Sequence, residues 1–276
     1  MFGLPESLLL FILAIFGLIV GSFLNVVIAR VPAGESISSP GSRCPLCGHV
    51  LSPMENIPVL SWLILHGKCR NCKSQISLRY PLVELGSAGL WLVLGIWALH
   101  QTDSGGFFGL DFSPLLPLVL ILGSAGVALA LIDHDTMRLP NAIVYPLYPV
   151  TLIGLLLAGF ASGQWELLNS LIGGSMWVIV IGGIYLLSGG RAMGMGDVKL
   201  APILGVTLGW IGVSTAALGL FFAFVTGAIF GLVLIATKRA SSRGSVPFGP
   251  FLLVGALISF ICGVNVWNWY TSSFGL

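Results

Sequence analysis

The sequence is poor in charged residues: only 8% of its 276 residues are Asp, Glu, Lys or Arg, whereas 56% are hydrophobic. Because a soluble domain has about a quarter of its residues charged, this chain has too few charges to cover a water-facing surface. It also lacks a basic residue ahead of its first apolar segment, residues 7–29, which is too long for the apolar region of a cleavable signal peptide. These absences exclude an ordinary soluble protein and predict that the first segment is a membrane-spanning helix that stays in place.

Apolar segments follow one another along most of the chain. Since about 20 apolar residues are needed to cross a bilayer, eight segments are candidates: 7–29, 81–100, 113–132, 140–160, 166–188, 198–212, 214–237 and 248–270. The sixth is short, and only Gly209-Trp210-Ile211-Gly212 indicates a break before the seventh. The predicted fold class is an all-α polytopic membrane protein with about eight transmembrane helices and a small loop domain between the first two.

The basic residues predict an orientation. When eight spans alternate across the membrane, all twelve Lys and Arg residues fall on one side, and such residues favour cytoplasmic loops. Both termini are therefore expected outside. The predicted domains are a first transmembrane helix over residues 1–29, a cytoplasmic domain over residues 30–80 and a seven-helix membrane domain over residues 81–276. A seven-span arrangement would strand Lys238, Arg239 and Arg243 on the other side.

Four of the five cysteines form two Cys-x-x-Cys pairs, Cys44-Pro-Leu-Cys47 and Cys69-Arg-Asn-Cys72. Their spacing is typical of a zinc site with four thiolate ligands, and the metal would stabilise a segment that has little apolar core of its own. The alternatives are two disulfides, a thioredoxin-like redox motif, an iron–sulfur cluster, or ligation by a neighbouring histidine (His49 or His66). The fifth, Cys262, is expected to be an inert apolar side chain.

Two aspartates lie at the ends of predicted spans, Asp133 after the third and Asp197 in Gly194-Met195-Gly196-Asp197 before the sixth. An ionisable residue in a span costs roughly 2.5–3.5 kcal/mol and is a functional hypothesis by default. Two carboxylates about 3 Å apart hold one proton between them, so that one can activate water while the other protonates a carbonyl.

This pattern predicts a membrane-embedded aspartyl peptidase in which the two glycines leave room for a substrate backbone. The structural alternatives are a helix cap for Asp197 and an ion pair of Asp133 with Arg138. Lys199 either biases the pair electrostatically or marks the membrane boundary.

Further segments accompany the two aspartates and the cysteine pairs in a fixed order along residues 17–260: Gly21-Ser22-Phe23-Leu24-Asn25, Arg30-Val31-Pro32, Asn56-Ile57-Pro58, Arg79-Tyr80-Pro81-Leu82-Val83-Glu84-Leu85 and Pro247-Phe248-Gly249-Pro250. Together they resemble the prepilin peptidases of type IV pilus and type II secretion systems. One departure is Asn141, where many members of that family have Asp.

The resemblance implies a bifunctional enzyme of a prokaryotic inner membrane. Such an enzyme cleaves the leader of type IV prepilins or pseudopilins on the cytoplasmic side. It then methylates the new N-terminal amine with S-adenosylmethionine. Asp133 and Asp197 would be the catalytic pair, and the four cysteines would hold structural zinc. The expected partners are the prepilin and membrane lipids, with no nucleic acid.

The methyl-donor site is not evident in the sequence, which has no Rossmann-type glycine fingerprint after a strand. The weak candidates are Gly67, Lys68, Glu55 and Asn56, for which the structural alternatives are a turn beside the cysteines and a helix cap. Three alternative functions are another Gly-x-Gly-Asp protease that cleaves helices within the bilayer, an ion- or proton-coupled transporter, and a zinc-binding module on a passive anchor.

Overall fold

The computed structural model describes residues 5–100, 113–237 and 247–275. In these ranges the chain forms nine α-helices: α1 (Glu6–Arg30), α2 (Leu60–Ile64), α3 (Arg79–Leu99), α4 (Leu116–Thr136), α5 (Asn141–Ser162), α6 (Leu167–Leu187), α7 (Met195–Ile211), α8 (Val213–Ala236) and α9 (Gly249–Phe274). A short 3₁₀-helix spans Pro53–Asn56. The same ranges contain no β-strand, only two isolated β-bridges.

Seven helices of the described chain are long and apolar enough to cross a membrane, namely α1, α3, α4, α5, α6, α8 and α9. The eighth long helix, α7, has 17 residues and corresponds to the span that the sequence predicts to be short. The predicted break is also confirmed, because Gly212 lies in an extended conformation between α7 and α8. The chain is thus an all-helical, multi-pass membrane protein, as predicted.

The chain divides into two compact units, residues 1–128 and 129–276. The first contains α1 to α3 and the start of α4, and the second contains the end of α4 and α5 to α9. The three domains predicted from the sequence, residues 1–29, 30–80 and 81–276, stay a prediction.

In the first unit, glycines allow α1 to pack closely on α3. A Cβ on Gly17 would lie 2.7 Å from the Cα of Ala88, and a Cβ on Gly21 would lie 2.6 Å from the Cα of Glu84. Such small residues let helix backbones approach each other in lipid, where contacts between apolar side chains alone contribute little free energy to helix association. Two consecutive turns of α1 are therefore in van der Waals contact with the backbone of α3.

In the second unit, α7 is the most enclosed helix, and glycines again set the closest contacts. A Cβ on Gly205 of α7 would lie 2.6 Å from the carbonyl oxygen of Gly173 in α6, and 2.8 Å from the Cβ of Trp177. The indole of Trp177 is fully buried and donates a hydrogen bond to the carbonyl of Ala216 in α8, at 2.9 Å. Helices α6, α7 and α8 are thus locked together around one tryptophan.

The substitution Gly205→Ala is expected to lower the stability of the protein by about 1–3 kcal/mol, the usual cost of overpacking. The reason is that the added methyl group meets backbone atoms of α6, which cannot rotate away. Thermal unfolding in detergent measures the effect. The matched control is Gly183→Ala in α6, where no heavy atom lies within 4 Å of the new methyl group. Equal melting temperatures for the two variants would refute this packing argument.

Candidate active site and metal centre

Asp133 and Asp197, both in the second unit, lie next to each other. Asp133 is in the last turn of α4, Asp197 is in the first turn of α7, and each residue is only 6% exposed. They meet at Gly249, where a Cβ would lie 2.7 Å from Oδ2 of Asp133 and 3.3 Å from Oδ1 of Asp197. Because both distances are measured from the same Cβ position, the two carboxylate oxygens can be no farther apart than the sum of these distances. The absent side chain of Gly249 is therefore what makes room for both carboxylates.

Backbone N–H groups at the starts of two helices hold the carboxylates. The N–H of Gly249, the first residue of α9, interacts with Asp133. The N–H of Gly194, just before α7, donates to Oδ2 of Asp197 at 3.2 Å. The positive end of each helix dipole thus faces a carboxylate. Asp197 is indeed a helix cap, but its other oxygen remains directed towards Gly249, so capping and a chemical role are compatible.

The glycines before Asp197 have different surroundings. A Cβ on Gly196 would lie 2.9 Å from the Cβ of Leu139. A Cβ on Gly194 would only make an ordinary contact with Asp197, at 3.6 Å. Gly196 therefore allows Leu139 to pack closely against α7, in addition to leaving the room for substrate that the sequence predicts.

Lys199, two residues after Asp197, connects α7 to α5. Its Nζ donates to Oδ1 of Asn141 at 3.0 Å and lies 5.2 Å from the centre of the Tyr145 ring. The hydroxyl of Tyr148 donates to the carbonyl of Lys199 at 2.7 Å. These three contacts fix the start of α5 against the start of α7, so Lys199 positions the segment that contains Asp197. The unusual Asn141 still serves as the partner of this lysine.

The four paired cysteines form one cluster in the first unit. Their sulfur atoms all lie within 4.8 Å of one another, and all four thiols are free. Sγ of Cys44 is 3.9 Å from Sγ of Cys72, and the same distance separates Cys47 from Cys69. A tetrahedral site with Zn–S bonds of about 2.3 Å has sulfur atoms about 3.8 Å apart. The cluster fits zinc and does not have the bonded sulfurs of the disulfide alternative.

The two cysteine pairs have the same local structure. The N–H of Cys44 donates to the carbonyl of His49, and the N–H of Cys69 donates to the carbonyl of Ser74. Each turn then needs one residue with positive φ, which is Gly48 in the first pair and Lys73 in the second. Two equivalent knuckles facing each other are the usual framework of a four-thiolate zinc site.

Hydrogen bonds favour the thiolate form of two of these cysteines. The backbone N–H groups of Cys47 and Leu46 lower the pKa of Cys44 to about 6. The hydroxyl and N–H of Ser74 lower the pKa of Cys72. Since the thiolate is the form that binds metal, these hydrogen bonds favour cation binding by Cys44 and Cys72.

Two of the four weak methyl-donor candidates, Glu55 and Gly67, have contacts that are structural. The carboxylate of Glu55 accepts hydrogen bonds from the N–H of Ser52 at 2.9 Å and from its hydroxyl at 2.7 Å, and it lies 3.3 Å from Nε2 of His49. Ser52 is the main reason that the pKa of Glu55 is lowered to about 2. His49 thus faces Glu55 through Nε2.

Gly67 has a φ of 67°, and a Cβ there would lie 2.8 Å from the Trp62 ring. The other two candidates, Asn56 and Lys68, are exposed. The assignment of these four residues to a methyl-donor site stays a prediction.

Gly249 and Glu84 were not among the predicted site residues, although both stand in segments that resemble the family. Glu84 was detectable, because it is an acidic residue four positions inside the predicted second span and the rule applied to the aspartates covers it. Gly249 carried no such signal. Nothing in Pro247-Phe248-Gly249-Pro250 reveals that its glycine faces two side chains that precede it by 116 and 52 positions.

The fold and the site define a class: multi-pass helical membrane proteins with two adjacent buried carboxylates at helix ends and a separate four-cysteine cluster. Two family models match the chain, the bacterial Peptidase A24 N-terminal domain over residues 15–98 and the type IV leader peptidase family over residues 120–232. The chain belongs to the type IV leader peptidase family.

Curated relatives match over almost the whole chain, and each bears the name prepilin leader peptidase/N-methyltransferase. The protein of Aeromonas salmonicida is 35% identical over 94% of this chain and 92% of its own length. That of Pseudomonas aeruginosa is 35% identical over 92% and 90%, and that of Bacillus subtilis is 34% identical over 95% and 98%. No solved structure matches significantly.

The purified protein is expected to contain about one zinc ion per chain, measured by elemental analysis. The substitution Cys47→Ala should remove most of that metal, because three thiolates leave one coordination position open to water. Cys262→Ala is the control, since Cys262 is exposed in α9 and lies outside the cluster. Unchanged zinc content in Cys47→Ala would rule out the four-cysteine site.

Proposed function

We propose that this chain is a bifunctional prepilin peptidase and N-methyltransferase. It cleaves the leader from type IV prepilins or pseudopilins and then methylates the new N-terminal residue. The observation that carries the peptidase half is the meeting of the Asp133 and Asp197 carboxylates at Gly249. Membership of the type IV leader peptidase family and the names of the curated relatives support both halves.

In the proposed mechanism, the two carboxylates share one proton, because both cannot ionise at such close range. The ionised member accepts a proton from water, whose oxygen attacks the carbonyl carbon of the scissile peptide bond. The protonated member donates its proton to the carbonyl oxygen. Collapse of the tetrahedral intermediate then breaks the C–N bond, and the leaving amine takes up a proton. The low polarity around two nearly buried side chains strengthens these interactions.

The position of the pair suits the proposed substrate. A prepilin has a basic leader followed by an apolar helix, which would lie in the membrane with the scissile bond at the boundary. Asp133 is in the last turn of one membrane helix and Asp197 is in the first turn of another. The distribution of basic residues favours the cytoplasmic side of the inner membrane for this boundary, which is where the leader would be accessible.

Two cofactors are part of the proposal. Zinc would be held by Cys44, Cys47, Cys69 and Cys72 and would fix the two knuckles relative to each other, a structural role. S-adenosylmethionine is the proposed methyl donor, as the family resemblance implies, and the names of the relatives support methyl transfer.

The substitutions Asp133→Asn and Asp197→Asn are each expected to abolish leader removal, because an amide can neither accept the proton of water nor donate one as an acid. The assay combines a purified prepilin with the protein in liposomes and reads the products by mass spectrometry, with and without S-adenosylmethionine. The control is Asp135→Asn, since Asp135 is exposed and two residues away. Cleavage by either of the first two variants would disprove the proposed pair, whereas the intact protein should also add one methyl group when the donor is present.

Gly249→Ala is expected to reduce the rate of cleavage at least 100-fold, although this variant retains both aspartates. The added methyl group would lie 2.7 Å from Oδ2 of Asp133, so the carboxylates must separate, and a displacement of about 1 Å can cost on the order of 10²-fold in rate. Gly231→Ala in α8 is the matched control, because no heavy atom lies within 4 Å of its new methyl group. Thermal unfolding of both variants shows whether a loss of cleavage results from misfolding. Normal cleavage by Gly249→Ala would contradict the arrangement of the two carboxylates around Gly249.

A further inference from the structure

Val59, the residue before α2, has a backbone conformation that β-branched residues rarely adopt. Its φ is 60° and its ψ is −49°, and the N–H of Leu60 closes the tight turn onto the carbonyl of Pro58. Such a conformation persists only where the surroundings over-determine it. Here the N–H of Val59 donates a hydrogen bond of 2.7 Å to Oε2 of Glu84 in α3. The turn is thus fixed by a carboxylate from a membrane helix.

Glu84 lies inside the span of two membrane helices. It is the sixth residue of α3, which begins at Arg79, so it is about 7.5 Å from the start of that helix at 1.5 Å per residue. Its Cα also packs on Gly21 of α1, and Gly21 is about 13 Å along the axis from Arg30, where α1 ends. Glu84 is only 8% exposed. The hydrogen bond to Glu84 therefore holds Val59 beside the first turns of membrane helix α3.

Helix α2, which starts at the next residue, has one face made of exposed apolar side chains. Leu60, Leu63 and Ile64 are 56%, 55% and 72% exposed, and their i, i+3, i+4 spacing puts them on one side of the helix. Trp62 is directed elsewhere: its indole N–H donates to the carbonyl of Ile76 and its ring packs on Gly67. The helix thus has a side that contacts its own loop and an apolar side that faces outwards.

We propose that α2 is an interfacial helix whose Leu60, Leu63 and Ile64 side chains insert among lipid acyl chains at the membrane boundary, with Glu84 as the residue that positions it there. Residues 57–64 then belong to the membrane interface, although they lie inside the segment predicted to be a cytoplasmic domain. This inference rests on the membrane fold and does not depend on the proposed peptidase activity.

The surroundings of α2 favour lipid as its occupant. The first two turns of α3, at the depth of Glu84, also expose leucines, Leu82 and Leu85, as expected of a helix surface in hydrocarbon. The polypeptide that follows α2 carries exposed Lys68, Arg70 and Lys73. Apolar side chains combined with nearby basic residues are the composition of segments that bind the surface of anionic membranes.

The inference can be tested by placing the photoreactive residue benzoyl-phenylalanine at position 60, 63 or 64 of the full chain in its native membrane. After irradiation, mass spectrometry identifies what has been captured. The same residue at position 82, on the exposed side of α3, sets the yield for a side chain in lipid, and unirradiated samples set the background. We expect lipid adducts at positions 60, 63 and 64, each with at least half the yield obtained at position 82. Adducts with a polypeptide, or lipid adducts at background level, would overturn the proposal.

The positioning role of Glu84 is tested with the photoreactive residue kept at position 63. Glu84→Ala removes the acceptor of the Val59 N–H and should lower the lipid yield several-fold. Glu84→Gln retains a carbonyl oxygen of the same reach and should preserve the yield. Equal yields in the two variants would refute the role of Glu84. If Glu84→Ala fails to accumulate, the glutamine variant and the unsubstituted chain still decide whether α2 contacts lipid.

Discussion

Hydrocarbon offers no hydrogen-bond partner, and this constraint decides where the acidic side chains of the chain lie. In the described parts of the chain, three carboxylates are buried in the membrane helices, those of Glu84, Asp133 and Asp197. Each is paired with a backbone N–H at the start of a helix: that of Val59 before α2, Gly249 at α9 and Gly194 before α7. The first N–H groups of a helix have no partner within it, so a buried carboxylate and a helix start satisfy each other. The same pairing builds the candidate active site and fixes the loop of the first unit.

The constraint also explains why glycine is so frequent among the closest contacts. At Gly249 one helix start faces two carboxylates at once, and a Cβ there would lie too close to Oδ2 of Asp133. Gly21 has a different role, since it lets the backbone of α1 approach the backbone of Glu84 in α3. In hydrocarbon the approach of backbones is itself a source of stability. The packing of the helices and the assembly of the site therefore both depend on glycine, at different positions.

The sequence predicted the helices well because hydropathy reports burial in lipid directly. All eight predicted spans correspond to long helices, and the short α7 and the break at Gly212 were foreseen. Asp133 and Asp197 were found because charge in an apolar segment is conspicuous. Their catalytic role stays a prediction, whereas their proximity is an observation. Gly249 and the contact of Glu84 with Val59 could not be predicted, because each depends on contacts between distant segments that leave no local pattern in a single sequence.

The segment between α1 and α3 raises the question of what holds it in one conformation. Of residues 31–78, only Cys44, Gly67 and Cys69 are buried, so the segment has almost no apolar core, and burial alone cannot offset the entropy of ordering it. Two other sources of order remain. One is a metal ion, which would join the two knuckles at Cys44 and Cys69. The other is the hydrogen bond from Val59 to Glu84, which attaches the polypeptide between the knuckles to a membrane helix. Because one knuckle lies on each side of this attachment, a cation and one carboxylate would together restrict the conformations of the whole segment. If either were lost, the remaining interaction would have to close a longer loop, at a larger cost in entropy.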